Sequence, residues 1–363
     1  MNKELISDKQ GICLITLFIT GSTFVLGVGA EAEKDSWLAI LLSILFAFPI
    51  LMIYARLLSL FPKKDLFNIL EIVFGKFIGK FISILYIWIA FHLGSLVLRN
   101  FGEFIVNVSL SQTPMIVPMI FIISLCVWGI KDGIELLGRW SYFFILVIIL
   151  LVITGGLLLI PNIDINNIFP ILDNGIKPVI QGAFGVFSFP FAETILFCLV
   201  FSSLKNSQSP YRVYIFGLII GGIIVFITSL ADILILGEHS YSTLFFPGQH
   251  AVSRATIGDF IQRIEIIVSI SFLTGGFVKI SICLLSSCNG VAKLFGFNNY
   301  KFIVTPMALL MLNLSHLIYN SLFEMVDWAF KVWPYYSFLF QVILPITIWI
   351  VAEIKHKNLK QLN

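Results

Sequence analysis

Three ionisable residues stand where an apolar chain has little use for charge. Glu193 ends the run Phe187-Ser188-Phe189-Pro190-Phe191-Ala192-Glu193, Lys279 sits in Phe277-Val278-Lys279-Ile280-Ser281, and Asp232 lies within Ile227–Leu236. At the centre of a bilayer each charge costs about 2.5–3.5 kcal/mol even on insertion scales, so each needs a cavity or a partner. Lys279 shares a helical stripe with Ser271, Gly275, Cys283 and Ser286, which suggests a face turned to other helices or to water. Glu193 and Lys279 read as coupling or gating residues, or as a structural ion pair fixing helix register. The sequence leaves open whether they meet. Asp232 is nearer the outer end of its segment and reads as interfacial. A further cluster is His92, Ser95 and Arg99 on one helical face, with Arg99 and Glu103 at i,i+4 spacing. Arg99 and Glu103 join the coupling or gating candidates, and His92 reads more readily as a packed histidine than as a proton relay.

Two glycine-rich runs could form a binding site. One is Thr20-Gly21-Ser22-Thr23 followed by Gly27-Val28-Gly29, and the other is Gly182-Ala183-Phe184-Gly185-Val186-Phe187-Ser188-Phe189-Pro190. Unwound backbone inside a membrane is tolerated only when buried in protein or facing a cavity. There, half-helix N-termini can hold an anion, and freed carbonyls a cation or ammonium. The alternative is close glycine packing between helices.

The elements that must position these residues follow from composition. Of 363 residues, 58% are hydrophobic and 12% charged, with a mean hydropathy of +0.99. Soluble proteins carry roughly 45–50% and 25%, so the chain reads as an all-α, polytopic membrane protein. Ten apolar spans are expected: Ile12–Val28, Trp37–Phe61, Phe77–Leu98, Met115–Trp128, Trp140–Ile160, Pro178–Phe201, Tyr211–Leu236, Ile264–Cys288, Phe302–Tyr319 and Val332–Val351. With both termini inside, 16 lysines and arginines fall on inner segments and 6 on outer ones, the bias the positive-inside rule requires. The glycine-rich runs are then the first spans of two sets of five with opposite orientation, approximately residues 10–160 and 178–352 of a single transmembrane domain, 1–363. Interrupted helices at matching positions of inverted halves point to a central site. Two long outer connections, 161–177 and 237–263, read as lids or plain connectors. Inside, 65–79 reads as a short interfacial helix.

Several classes of function are excluded. The cysteines (13, 126, 198, 283 and 288) all lie in apolar runs without metal-ligand spacing, so neither a disulfide framework nor a metal site is expected. No nucleotide-binding, nucleophile-elbow or zinc-protease motif occurs, so no catalytic residue or cofactor is expected. No basic stripe offers a nucleic-acid surface.

Five-plus-five helices with breaks in the first and sixth resemble the LeuT-type fold of the amino acid–polyamine–organocation transporters. Short motifs are similar to those of one branch, the integral-membrane B subunits of spore germinant receptors. They are Ile6-Ser7-Asp8-Lys9-Gln10, Asp35-Ser36-Trp37, Leu98-Arg99-Asn100-Phe101-Gly102-Glu103-Phe104, the Phe187–Glu193 run, Gln262-Arg263-Ile264-Glu265 and the Phe277–Ser281 run. The resemblance implies a subunit in the spore inner membrane, both termini cytoplasmic, that binds a small germinant such as an amino acid. It implies a membrane A subunit and a lipoprotein C subunit as partners. Its ligand contacts, carried onto this chain, would be Thr20, Gly21, Ser22, Thr23, Phe184, Gly185, Phe187 and Ser188. Lys279 falls where sodium-coupled relatives place a cation, which implies ligand binding without sodium. The competing readings are a proton-coupled amino acid transporter acting through Glu193 or Lys279, and a conduit for ions or water.

Overall fold

A computed structural model describes residues 5–204, 206–254 and 265–361. The expected start of the eighth span at Ile264, the Gln262-Arg263-Ile264 motif and the 255–263 part of the second outer connection lie outside these residues.

Helices carry the fold. They are α1 (Asp8–Thr20), α2 (Ser36–Leu60), α3 (Leu66–Val108), α4 (Ile116–Asp132), α5 (Ile134–Leu159), α6 (Ile176–Val186), α7 (Ser209–Leu236), α8 (Glu238–Thr243), α9 (Pro247–Ser253), α10 (Ile266–Phe295), α11 (Lys301–Leu317), α12 (Leu322–Asp327), α13 (Trp333–Phe338) and α14 (Leu344–Gln361). Among the described residues, seven helical segments are long and apolar enough to cross a membrane. The other three expected spans are shorter: α1 has 13 residues, and α4 and α11 have 17 each. The first is short because its helix stops at Thr20 and the chain continues unwound. The tenth is longer than expected: from Leu322 to Gln361, α12, α13 and α14 run on through two π-helical turns.

Local chemistry explains the starts and bends. Ser7 caps α1 in a reciprocal box with Gln10, whose Oε1 accepts from the Ser7 N–H at 2.9 Å. A helix is present near 65–79 as expected, capped by Asp65, but it is fused to the third span through Gly75 at φ +80°. That left-handed turn suits a residue without Cβ. The bundle wraps α1 on several sides, with α7, α5 and α10 against it. In front of α1, the Ile6 N–H donates to the Ser203 carbonyl at 3.1 Å, within a parallel bridge between Ile6 and Leu204. The starts of the first span and the end of the sixth are thereby tied together. All five cysteines are free and buried.

Candidate functional site

Both glycine-rich runs break. After Thr20 the chain leaves helical geometry and resumes as a 3-10 turn at Ala30–Asp35, preceded by Gly29 at φ +70°. Thr20 Oγ1 donates back to the Thr16 carbonyl and Thr23 Oγ1 to the Thr20 carbonyl, each at 3.0 Å. These hydroxyls satisfy local backbone at the break. Gly21 meets Gly275 of α10 so closely that a Cβ on Gly21 would lie 2.6 Å from the Gly275 carbonyl carbon. Packing glycines and a broken helix, weighed as alternatives in the sequence, therefore occur together.

The sixth span is α-helical to Val186, leaves helical geometry at Phe189 (φ −135°, ψ 114°) and continues as a 3-10 helix, Ala192–Leu199. Its freed carbonyls are met by side chains from other spans. Gln341 Nε2 donates to Ser188 at 3.0 Å, the Tyr54 hydroxyl to Ala192 at 3.2 Å and the Tyr214 hydroxyl to Thr194 at 3.1 Å. This is the accounting that unwound backbone inside a membrane demands.

Just past that break, Glu193 and Lys279 meet. Lys279 Nζ lies 2.5 Å from Glu193 Oε2, with the side chains 0% and 1% exposed. The ammonium also sits over the rings of Phe189 and Phe18, at 4.5 and 5.0 Å from their centroids. It is thus held by α10, the sixth span and the helical half of the first, and cation–π attraction is strongest in such desolvated settings.

A cavity opens on the side of both breaks that faces the connection after α7. Its volume is about 90 Å³, and Gly29, Glu31, Asn100, Gly185, Phe189 and Tyr241 are among its walls. A smaller space of about 50 Å³ shares Asn100 and Phe189 and reaches Glu193 and Trp333. Glu31 points its carboxylate at the sixth span, where a Cβ on Gly185 would lie 3.3 Å from Oε1. Its Oε2 is buried without a hydrogen-bond partner among the described residues. The connection after α7 closes the cavity on that side: Tyr241 donates to the Val28 carbonyl at 2.9 Å, and Leu244 and Phe245 line the space. An unpaired carboxylate, an amide and aromatic walls can hold a small ligand that carries an ammonium or several donors.

The expected ligand residues distribute unevenly. Gly185 lines the cavity. Thr20, Gly21, Ser22 and Thr23 lie deeper, buried at the break itself, and Ser22 Oγ has no partner there. Phe184 packs on Tyr335 and Phe338, Phe187 is in the core, and Ser188 is bound to the tenth span through Gln341 and Pro334. The reason is direction. The unwound part of the first span runs toward the connection after α7, so the residues from Leu26 onward reach the open space. Arg99 pairs with Glu103 at 2.8 Å and also donates to the Ser315 and His316 carbonyls at the end of α11. It clasps α3 to α11, while its neighbour Asn100 faces the cavity. His92 is packed among Trp88, Trp328 and Tyr336. Asp232 departs from its interfacial reading: it is 8% exposed, covered by α9. Glu31 escaped notice because its segment, between two apolar runs, looks like a solvated connection. The signal available was Gly27-Val28-Gly29, which lets the chain turn back inward.

Broken first and sixth helices around a central cavity define the LeuT-type fold. The structure matches Mhp1, a nucleobase-cation-symport-1 family transporter solved closed with bromovinylhydantoin bound, at a TM-score of 0.71 over 98% of this chain and 92% of that one, with 12% identity. MhsT in complex with L-phenylalanine matches at 0.62 over 95% and 88%, with 13% identity. The chain belongs to the spore permease family of spore germination proteins, which it matches over residues 5–321. It is 28% identical to spore germination protein KB of Bacillus subtilis (strain 168), over 99% of this chain and 97% of that protein. Spore germination protein A2 of the same organism is 24% identical over 96% and 95%.

Proposed function

We propose that this chain is the ligand-binding B subunit of a spore germinant receptor. It senses a small nutrient, an amino acid, in the spore inner membrane, and acts there with an A subunit and a lipoprotein C subunit. Both termini are cytoplasmic, and the two sets of five spans form inverted repeats. The observation that carries the reading is the cavity at the two breaks, with the unpaired Glu31 carboxylate on one wall and Asn100 on another. A volume of about 90 Å³ is the space of roughly three waters, so the ligand is small. Glu31 would take its ammonium, and the segment from Tyr241 to Phe245 would respond to its arrival.

The second reading, a proton-coupled amino acid transporter, is favoured by Glu193, which lines the smaller adjoining space and pairs with Lys279. One experiment separates the two. Labelled amino acids are offered to the purified chain in proteoliposomes, with binding and uptake scored together. The receptor reading expects saturable binding without concentrative uptake, and about ten- to hundredfold weaker binding in Glu31→Gln, since a charged hydrogen bond is worth about 1.5–3 kcal/mol. Uptake driven by a proton gradient makes the chain a transporter. Absence of binding both alone and with the A and C subunits overturns the proposal.

A further inference from the structure

A second space lies away from the ligand cavity. It has a volume of about 70 Å³ and is bounded by the unwound first span, α5, α7, α9 and α10. Asp232 of α7 lines it, nine-tenths buried, and no ion pair or hydrogen bond reaches its carboxylate among the described residues. The hydroxyl-bearing residues Thr228 and Ser271 line it too. Both hydroxyls give their hydrogen to their own helix, Thr228 to the Ile224 carbonyl and Ser271 to the Ile267 carbonyl, each at 2.9 Å. Their oxygens remain as acceptors. The break in the first span supplies another oxygen. Phe24 lines the space, and its carbonyl receives no hydrogen bond from the described residues. A Cβ on Gly248 would lie 2.1 Å from that carbonyl oxygen and 3.3 Å from Asp232 Oδ2, so the two oxygens flank the same point.

These groups are all oxygens, and one carries a full charge. A lone buried carboxylate in a membrane is unfavourable until something neutralises it. Among the described residues no lysine or arginine does so. Hard oxygen donors suit hard cations, and divalent ions of that kind usually recruit more carboxylate than a single Asp. We propose that Asp232, the Phe24 carbonyl, Thr228 and Ser271 form a site for a monovalent alkali cation. The volume admits the ion with one or two waters. The cation ties the unwound part of the first span to α7, α10 and α9, and α9 follows directly from the segment that closes the ligand cavity.

The site is separate from Lys279, which is eight residues along α10 from Ser271, about 12 Å of helix rise. The expectation of ligand binding without sodium concerns Lys279 alone, so the test reads stability and stands apart from the receptor reading. Thermal unfolding of the purified full chain is followed in sodium, potassium and choline chloride at equal ionic strength. The expected result is a saturable rise of a few degrees in sodium or potassium over choline, the larger response identifying the ion. Asp232→Asn, nearly isosteric, removes this dependence, and its midpoint in choline is no lower than that of the wild type. Equal wild-type midpoints in the three salts overturn the proposal whether or not the variant folds. Such a result, combined with a midpoint that falls as pH rises, identifies a proton as the neutralising species. A cation response surviving in Asp232→Asn overturns it as well, by placing the ion elsewhere.

Discussion

Lys279 is fully buried, and among the described residues its one counter-charge is Glu193. Breaking a buried pair from one side leaves an uncompensated charge and costs about 3–5 kcal/mol, whereas replacing both partners by apolar groups is often neutral. Lys279→Met alone and Glu193→Gln alone should therefore each lower the unfolding midpoint sharply. Lys279→Met combined with Glu193→Leu should recover most of it. Germination assays on the recovered double variant then separate structure from signalling: a stable but silent protein assigns the pair to coupling, and a competent one reduces it to a brace. At this scale the sequence was informative about which residues are anomalous and poor at saying what each faces. Glu193 and Lys279 stand out because lipid-length apolar runs surround them. Glu31 does not, since a glutamate between two spans resembles any solvated loop acid, and its burial depends on Gly29 turning the chain at φ +70°. Asp232 was placed by its distance from the helix end, but a short helix from elsewhere in the chain covers that end.

The elements were readable where the apolar pattern is long. α2 and α7 fall within two residues of their expected spans, α5 starts six residues before its expected Trp140, and the breaks in the first and sixth spans follow from their glycines and Pro190. The fused helix and the π-turns of the tenth span leave no such trace, because both depend on neighbours. The α1–α10 contact gives the element-scale prediction. At Gly275 a Cβ would lie 2.2 Å from the Gly21 Cα. Backbone faces backbone there, and neither side has a rotamer to change. Gly275→Ala should push the helices apart and destabilise by about 3 kcal/mol, the upper part of the usual range for overpacking. Gly156→Ala, with nothing within 4 Å of the added carbon, serves as the control and should leave the midpoint unchanged or raise it slightly, Ala being the better helix former. Equal behaviour of the two variants would mean that the first and eighth spans are not in register at these glycines.

For the whole molecule, the bias of lysine and arginine toward one side predicts the orientation. Reporters active only in the cytoplasm, fused after residue 361 or within the 161–177 connection, should light up at the first position and stay dark at the second. The reverse pattern would turn the protein over and put the Glu31 cavity on the cytoplasmic side. Molecular shape was legible because covering a chain this apolar leaves few architectures, and the order of breaks selects among them. The cavity was less legible, because it is bounded by residues from five separate stretches of chain whose side-chain directions no single stretch encodes.

The bridge between Ile6 and Leu204 couples this architecture to its manufacture. The two partners are separated by nearly the first 200 residues of the chain. At about 5–20 residues per second, a ribosome needs roughly 10–40 s to deliver the second after the first. During that interval the first span sits in the bilayer with its leading strand unattached and its glycine break open. The translocon or early neighbouring spans must shelter it, and a stall before residue 204 would leave the first segment without its latch.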